Sequence, residues 1–144
     1  MVSRLADRPN QELITAKTRR CEGRRMGYGE SGDPELERVA GIVVDCIYTV
    51  HRNLGPGLLE SIYSICLAHE LRKRGLNVER EVKLPVIYDG IQLDAGLRLD
   101  LLVESRIIVE VKAVETMMAV FDAQVLRYLK LTCHPLGTTL RRCE

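Results

Sequence analysis

The chain has 144 residues, 46% of them hydrophobic and 28% charged, with a net charge of +1. That length suits one domain with its own core, and the balanced charge names no partner, so a nucleic-acid ligand would need a local basic patch. No apolar run reaches the roughly 18 residues of a membrane span, and the opening MVSRLADRPNQELIT lacks an apolar signal segment, so a cytoplasmic location is expected.

The cysteines, Cys21, Cys46, Cys66, Cys133 and Cys143, form no C-x-x-C pair and have no histidine at zinc-finger spacing. Cysteine-bound zinc and a disulfide scaffold are therefore disfavoured. With no Trp and one Phe, the core must be built from Leu, Val and Ile. Residues 1–32 carry seven Lys/Arg (Arg4, Arg8, Lys17, Arg19, Arg20, Arg24, Arg25) against four acids (Asp7, Glu12, Glu22, Glu30) and lead into the glycine-rich GYGESGD. No apolar period runs through them. They read as a mobile basic tail, either touching nucleic acid or simply solvated, ahead of a single domain over residues 33–144.

Order begins at Asp33, whose carboxylate can cap a helix, followed by Pro34, which suits a first helical position. Val39, Val43, Cys46, Ile47 and Val50 recur at helical spacing, and Gly55-Pro56-Gly57 stops the helix. A second helix is expected from about Leu58 to Arg74, with Leu59, Ile62, Cys66 and Leu67 facing inward and Gly75 closing it. The period then changes to two. Two strands flank Asp89-Gly90, a hairpin turn, and two more, LRLDLLV and RIIVEVKAV, flank Glu104-Ser105-Arg106. Pro85 marks an edge or a bulge. A third helix over about Ala119–Leu131 and a short strand near Leu136–Leu140 complete the order α-α-β-β-β-β-α-β, a mixed α/β (α+β) domain.

Three charges interrupt the apolar stretch LDLLVESRIIVEVKA: Asp100, Glu110 and Lys112. With a loop at 104–106, Val103 pairs with Ile107 and Asp100 falls opposite Glu110, about 5 Å away at Cβ. Lys112 shares their face. Leu99, Leu101, Ile107, Val109 and Val111 take the other. A loop one residue shorter would put the two acids on opposite faces. Adjacent carboxylates repel, so one takes up a proton or a divalent cation settles between them. Mg²⁺ and Mn²⁺ suit such oxygen ligands. A lysine beside them can orient a water or stabilise phosphate charge. The same residues also describe a salt-bridged triad on a solvated sheet face. Elsewhere, Glu60 and Tyr63 are three apart on the second helix and share a face, where Glu60 also suits the helix's positive end. Gln124 and Tyr128 project together one turn apart on the third, a pairing that also suits a plain surface.

In order, D…E-x-K on adjacent strands, a preceding helical Glu, and Q-x-x-x-Y on the next helix resemble the PD-(D/E)XK nuclease superfamily, the last part being similar to its RecB-type exonuclease branch. HRNLGPGLLESIY (with Gly57, Glu60 and Tyr63), KRGLNVEREVKLPVIYDGIQLD and LDLLVESRIIVEVKAVE resemble the GxxExxY family of small prokaryotic proteins. The likeness covers residues 36–137. It implies a restriction-endonuclease-like core, a central mixed sheet of about four to five strands flanked by helices. It further implies a Mg²⁺- or Mn²⁺-dependent nuclease that hydrolyses phosphodiester bonds of DNA. Asp100, Glu110 and the backbone carbonyl of Val111 would hold the metal, and Glu60 would add a metal or water contact. Lys112 would position the attacking water, while Gln124 and Tyr128 would orient Lys112 or the nucleic acid. The alternative is a non-catalytic nucleic-acid- or protein-binding module on the same scaffold. Phosphate grip would fall to Arg72, Lys73, Arg74, Arg80 and the tail, or to a groove completed by a homodimer. Leu99-Asp100 stands where the superfamily has Pro-Asp, which loses no ligand. After LKLTCHPLG the chain runs out in TTLRRCE, so a short or polar last strand, a poorly covered sheet edge and a truncated or altered C-terminus are expected.

Overall fold

The computed structural model describes residues 14–18, 33–114 and 118–141. In chain order these form β1 (Ile14–Thr18), α1 (Pro34–Leu54), α2 (Glu60–Lys73), β2 (Val78–Tyr88), β3 (Ile91–Val103), β4 (Ile107–Lys112), α3 (Ala119–Thr132) and β5 (Leu136–Arg141). Asp33 starts α1 by accepting from the free amides of Glu35 and Leu36 at 3.0 and 3.2 Å. Its second oxygen is paired with Arg106, which ties the head of α1 to the β3–β4 turn. At the other end Gly55, with φ at +63°, returns its amide to His51.

The strands between residues 78 and 112 number three, where the alternating pattern predicts four. β3 is continuous through Gly96, whose φ of +70° lets the backbone bend there instead of ending a strand. Asp89 and Gly90 both have positive φ and close the β2–β3 hairpin, the geometry that suits a two-residue turn. Pro85 fulfils both of its expected roles. β2 is an edge strand, and the β2–β3 register slips between Leu84 and Val86.

The sheet runs β1-β5-β4-β3-β2. β4 and β5 are parallel, which requires a crossover, and α3 supplies it. The other neighbours are antiparallel. Helices α1 and α2 cover one face around Val43, Ile47, Leu67, Leu71, Leu101 and Val109. Helix α3 covers the other through Val125, Tyr128 and Leu129, against Leu102 and Ile108. Gly137 permits this close approach of α3, since a Cβ there would meet Val125 Cγ1 at 2.5 Å. The expected bare edge beside β5 is paired instead with β1. That strand falls within the segment read as a tail, for which the sequence showed no period. The remainder of residues 1–32, and residues 142–144, lie outside the described residues. Among the described residues no helix is long and apolar enough to cross a membrane.

Two packing expectations are corrected. Leu59 and Ile62 do not face inward: Leu59 is 72% exposed, while Tyr63, Ser64, Leu67, Ala68 and Leu71 are buried. The helix carries apolar residues on two sides, so spacing alone could not choose its buried face. Leu99 does not join Leu101 and Val109 but packs on the α3 side with Leu102 and Ile108. The reason lies at Asp100, where the side alternation of β3 breaks.

Candidate metal-binding and catalytic site

The β3–β4 turn holds the site in register. Glu104 and Ser105 adopt left-handed backbone, with φ of 51° and 52°, and Arg106 N donates to Val103 O at 3.0 Å. Glu104 is also anchored to Asn77 through its own amide, at 2.9 Å. Val103 then pairs with Ile107, Leu102 with Ile108 and Leu101 with Val109. This is the register in which Asp100 and Glu110 are next across the ladder.

Backbone pairing on that side stops there, and the acids replace it. Val111 N donates to Asp100 Oδ2 at 2.9 Å, and Asp100 N donates to Glu110 Oε1 at 3.4 Å. Across β3's other side, Arg80 pairs with Leu101 and Val82 with Leu99, while Glu81 between them has φ at +55°. A left-handed residue beside Asp100 reorients β2 and β3 together, which carries Leu97 and Leu99 to the α3 side.

Glu110 is 1% exposed. Burial, and then the charge of Asp100, push its pKa up to about 8, against the pull of Lys112. Lys112 Nζ lies 3.6 Å from Glu110 Oε2, and its side chain is 15% exposed. Asp100, Glu110 and Lys112 are therefore brought together as the hairpin argument anticipates.

The other candidates take separate places. Glu60, the first residue of α2, accepts from Ala113 N at 2.9 Å, which pins the helix head to the chain just past Lys112. Tyr63 is 4% exposed, donates its hydroxyl proton to Gly55 O at 2.6 Å and accepts from Leu58 N at 3.3 Å. Glu60 and Tyr63 thus do not act on one face. Three helical residues fall short of a full turn, and here that offset separates a core position from a surface one. Gln124 Nε2 donates to Tyr128 OH at 2.8 Å, with Tyr128 buried in the α3-side core. Among the described residues this pair makes no hydrogen bond to Lys112. The basic residues Arg72 and Lys73 end α2, roughly 20 Å along the helix from Glu60. Arg72 donates to Val78 O and Lys73 pairs with Glu70.

Two residues at the site escaped sequence reasoning. Thr139 pairs with Glu110 across the β4–β5 ladder, is 1% exposed, and among the described residues its hydroxyl has no hydrogen-bond partner. Phe121, at the head of α3, places its ring 5.7 Å from Lys112 Nζ. Both depend on the crossover from β4 to β5, which local periodicity does not reveal.

A family model for the PD-(D/E)XK nuclease superfamily matches residues 37–141. The chain belongs to this superfamily. No curated protein and no solved structure gives a significant match. The matched span runs from the first turn of α1 to the end of β5, and the observed architecture, a five-strand mixed sheet flanked by three helices, agrees with a PD-(D/E)XK core. PD-(D/E)XK nucleases generally use divalent metal ions, and nuclease membership implies contact with nucleic acid. The residues fit a hydrated cation. Two carboxylates are forced together, burial and the charge of Asp100 hold Glu110 back from ionising, and among the described residues the buried Thr139 hydroxyl beside it has no hydrogen-bond partner. Among the described residues no third His, Cys, Asp or Glu joins them in a metal-ligating cluster. Two carboxylates with retained waters are a donor set that Mg²⁺ accepts.

Proposed function

We propose that the protein is a Mg²⁺- or Mn²⁺-dependent nuclease hydrolysing phosphodiester bonds of DNA, of the GxxExxY kind and akin to the RecB-like branch. The observation that carries this reading is the Asp100–Glu110 pair, Glu110 buried and Asp100 half-buried, with Lys112 3.6 Å from Glu110. Asp100 and Glu110, with the Val111 carbonyl, are the residues that would hold the ion, and Glu60 would reach a water on it. A divalent ion bound there would offset the negative charge that builds on the phosphate and would acidify a bound water.

The chain's own groups do the rest. The Val111 amide fixes the Asp100 carboxylate beside Glu110. Glu110 would give up its proton on engaging a cation, whose charge offsets the burial and the Asp100 repulsion that hold it. Lys112, largely shielded from solvent, directs its ammonium into the same space, where it can position the attacking water or a phosphate oxygen. Gln124 and Tyr128, bonded to each other, brace the α3 wall against which Lys112 and the nucleic acid would lie.

The test is cleavage of labelled single- and double-stranded DNA, and of RNA, with Mg²⁺ or Mn²⁺. Activity lost on chelation and in Lys112→Ala is the expected result. Equal background from wild type and Lys112→Ala would remove the catalytic claim and leave a binding module, detected as nucleic-acid or protein binding that survives Asp100→Ala.

A further inference from the structure

Phe121 is the only phenylalanine in a chain without tryptophan. A residue with that much apolar area ordinarily fills the core. Phe121 instead lies in the first turn of α3, partly buried, outside both hydrophobic clusters. What it meets is Lys112, whose Nζ stands over its ring at 5.7 Å. An ammonium over an aromatic face at that distance is held by the ring's quadrupole.

The arrangement matters because the ammonium's other partner is shared. Glu110 Oε2, 3.6 Å away, belongs to a carboxylate that also has a role toward the cation. A carboxylate whose charge is taken up, by a proton or by a cation, grips the lysine less, whereas a neutral ring is unaffected. Lys112 also has a long stem with freely rotating bonds, so one loosened ion pair leaves it several rotamers. We propose that Phe121 is a positioning residue. Its ring holds the Lys112 ammonium in place for the reaction when Glu110 is engaged elsewhere.

The inference rests on the nuclease reading, and the experiment separates the two. Phe121→Leu, which keeps apolar bulk but removes the ring, is compared with Phe121→Tyr and Phe121→Trp, which keep an aromatic face. In metal-free protein, the Lys112 Hε protons should show an upfield ring-current shift by NMR. That shift should vanish in Phe121→Leu and persist in Phe121→Tyr. In turnover, Phe121→Leu should lower kcat about tenfold with KM little changed, the size expected for one partly shielded cation–π contact, and the aromatic variants should restore it. Active wild type with unchanged kcat in Phe121→Leu overturns the positioning role alone, as does a missing ring-current shift. A KM effect equal to the kcat effect, or equal losses in all three variants, assigns Phe121 to folding or substrate contact and also overturns it. Wild type inactive on every nucleic acid removes the nuclease reading and this role together.

Discussion

Burying Glu110 beside Asp100 places two acids where only one charge is comfortable. The pKa of Glu110 is pushed up to about 8 from a usual 4.5. The folded protein therefore keeps a proton that the unfolded chain has already lost. This group's contribution to stability is full below about pH 4.5 and is lost as pH rises to about 8, at up to roughly 1.4 kcal/mol per pH unit. Denaturant unfolding of the metal-free protein across that window should show the decline, and Glu110→Gln, which cannot ionise, should flatten it. An unaltered pH slope in Glu110→Gln would contradict the burial argument. The same proton competes with a cation, so the affinity for Mn²⁺ measured by calorimetry should tighten with rising pH and level off above about 8.

At the scale of elements, α2 is fixed by its head. Tyr63 closes on the Gly55 carbonyl and the Leu58 amide, while Glu60 reaches the Ala113 amide beyond β4. Tyr63→Phe keeps the ring and leaves both backbone groups without this partner. A loss of about 1–3 kcal/mol in unfolding free energy is expected, with the fold retained. The α3–β5 contact is equally specific. Gly137→Ala drives a methyl group against Val125, a stiff β-branched side chain, and should cost about 1–3 kcal/mol. Val125→Ala in the same chain should recover part of that loss, and strictly additive losses would show that α3 is not seated as described. These elements differ in how far they could be read. Asp33, Pro34 and Gly55 mark α1 through short-range hydrogen bonding and were legible residue by residue. The buried side of α2 was not, since Leu59 and Ile62 compete with Tyr63 and Leu67 and only the facing sheet decides between them.

For the whole molecule, the sheet sits between α1 and α2 on one side and α3 on the other, and the site lies where β3 and β4 stop pairing. A cation held by residues from two strands binds the folded chain and not the unfolded one. Mn²⁺ at about one hundred times its dissociation constant should then add about 2.7 kcal/mol of stability, read as a rise in Tm. Asp100→Ala should abolish that rise. If the same Mn²⁺ concentration stabilises Asp100→Ala equally, the ion binds elsewhere.

The sequence by itself determined the α1 cap and the hairpin turns, limited Pro85 to an edge or a bulge, and permitted the register that makes Asp100 and Glu110 neighbours, which the three-residue loop then sets. Each of these follows from local backbone chemistry or from a period of two counted across a short loop. Tertiary structure alone decided the rest. It merged two expected strands through Gly96, turned Leu99 to the α3 side, and separated Glu60 from Tyr63. It also set Thr139 and Phe121 against the charged pair. Those outcomes depend on a left-handed residue in a neighbouring strand and on a helical crossover. Such long-range packing leaves no periodic trace in the order of residues.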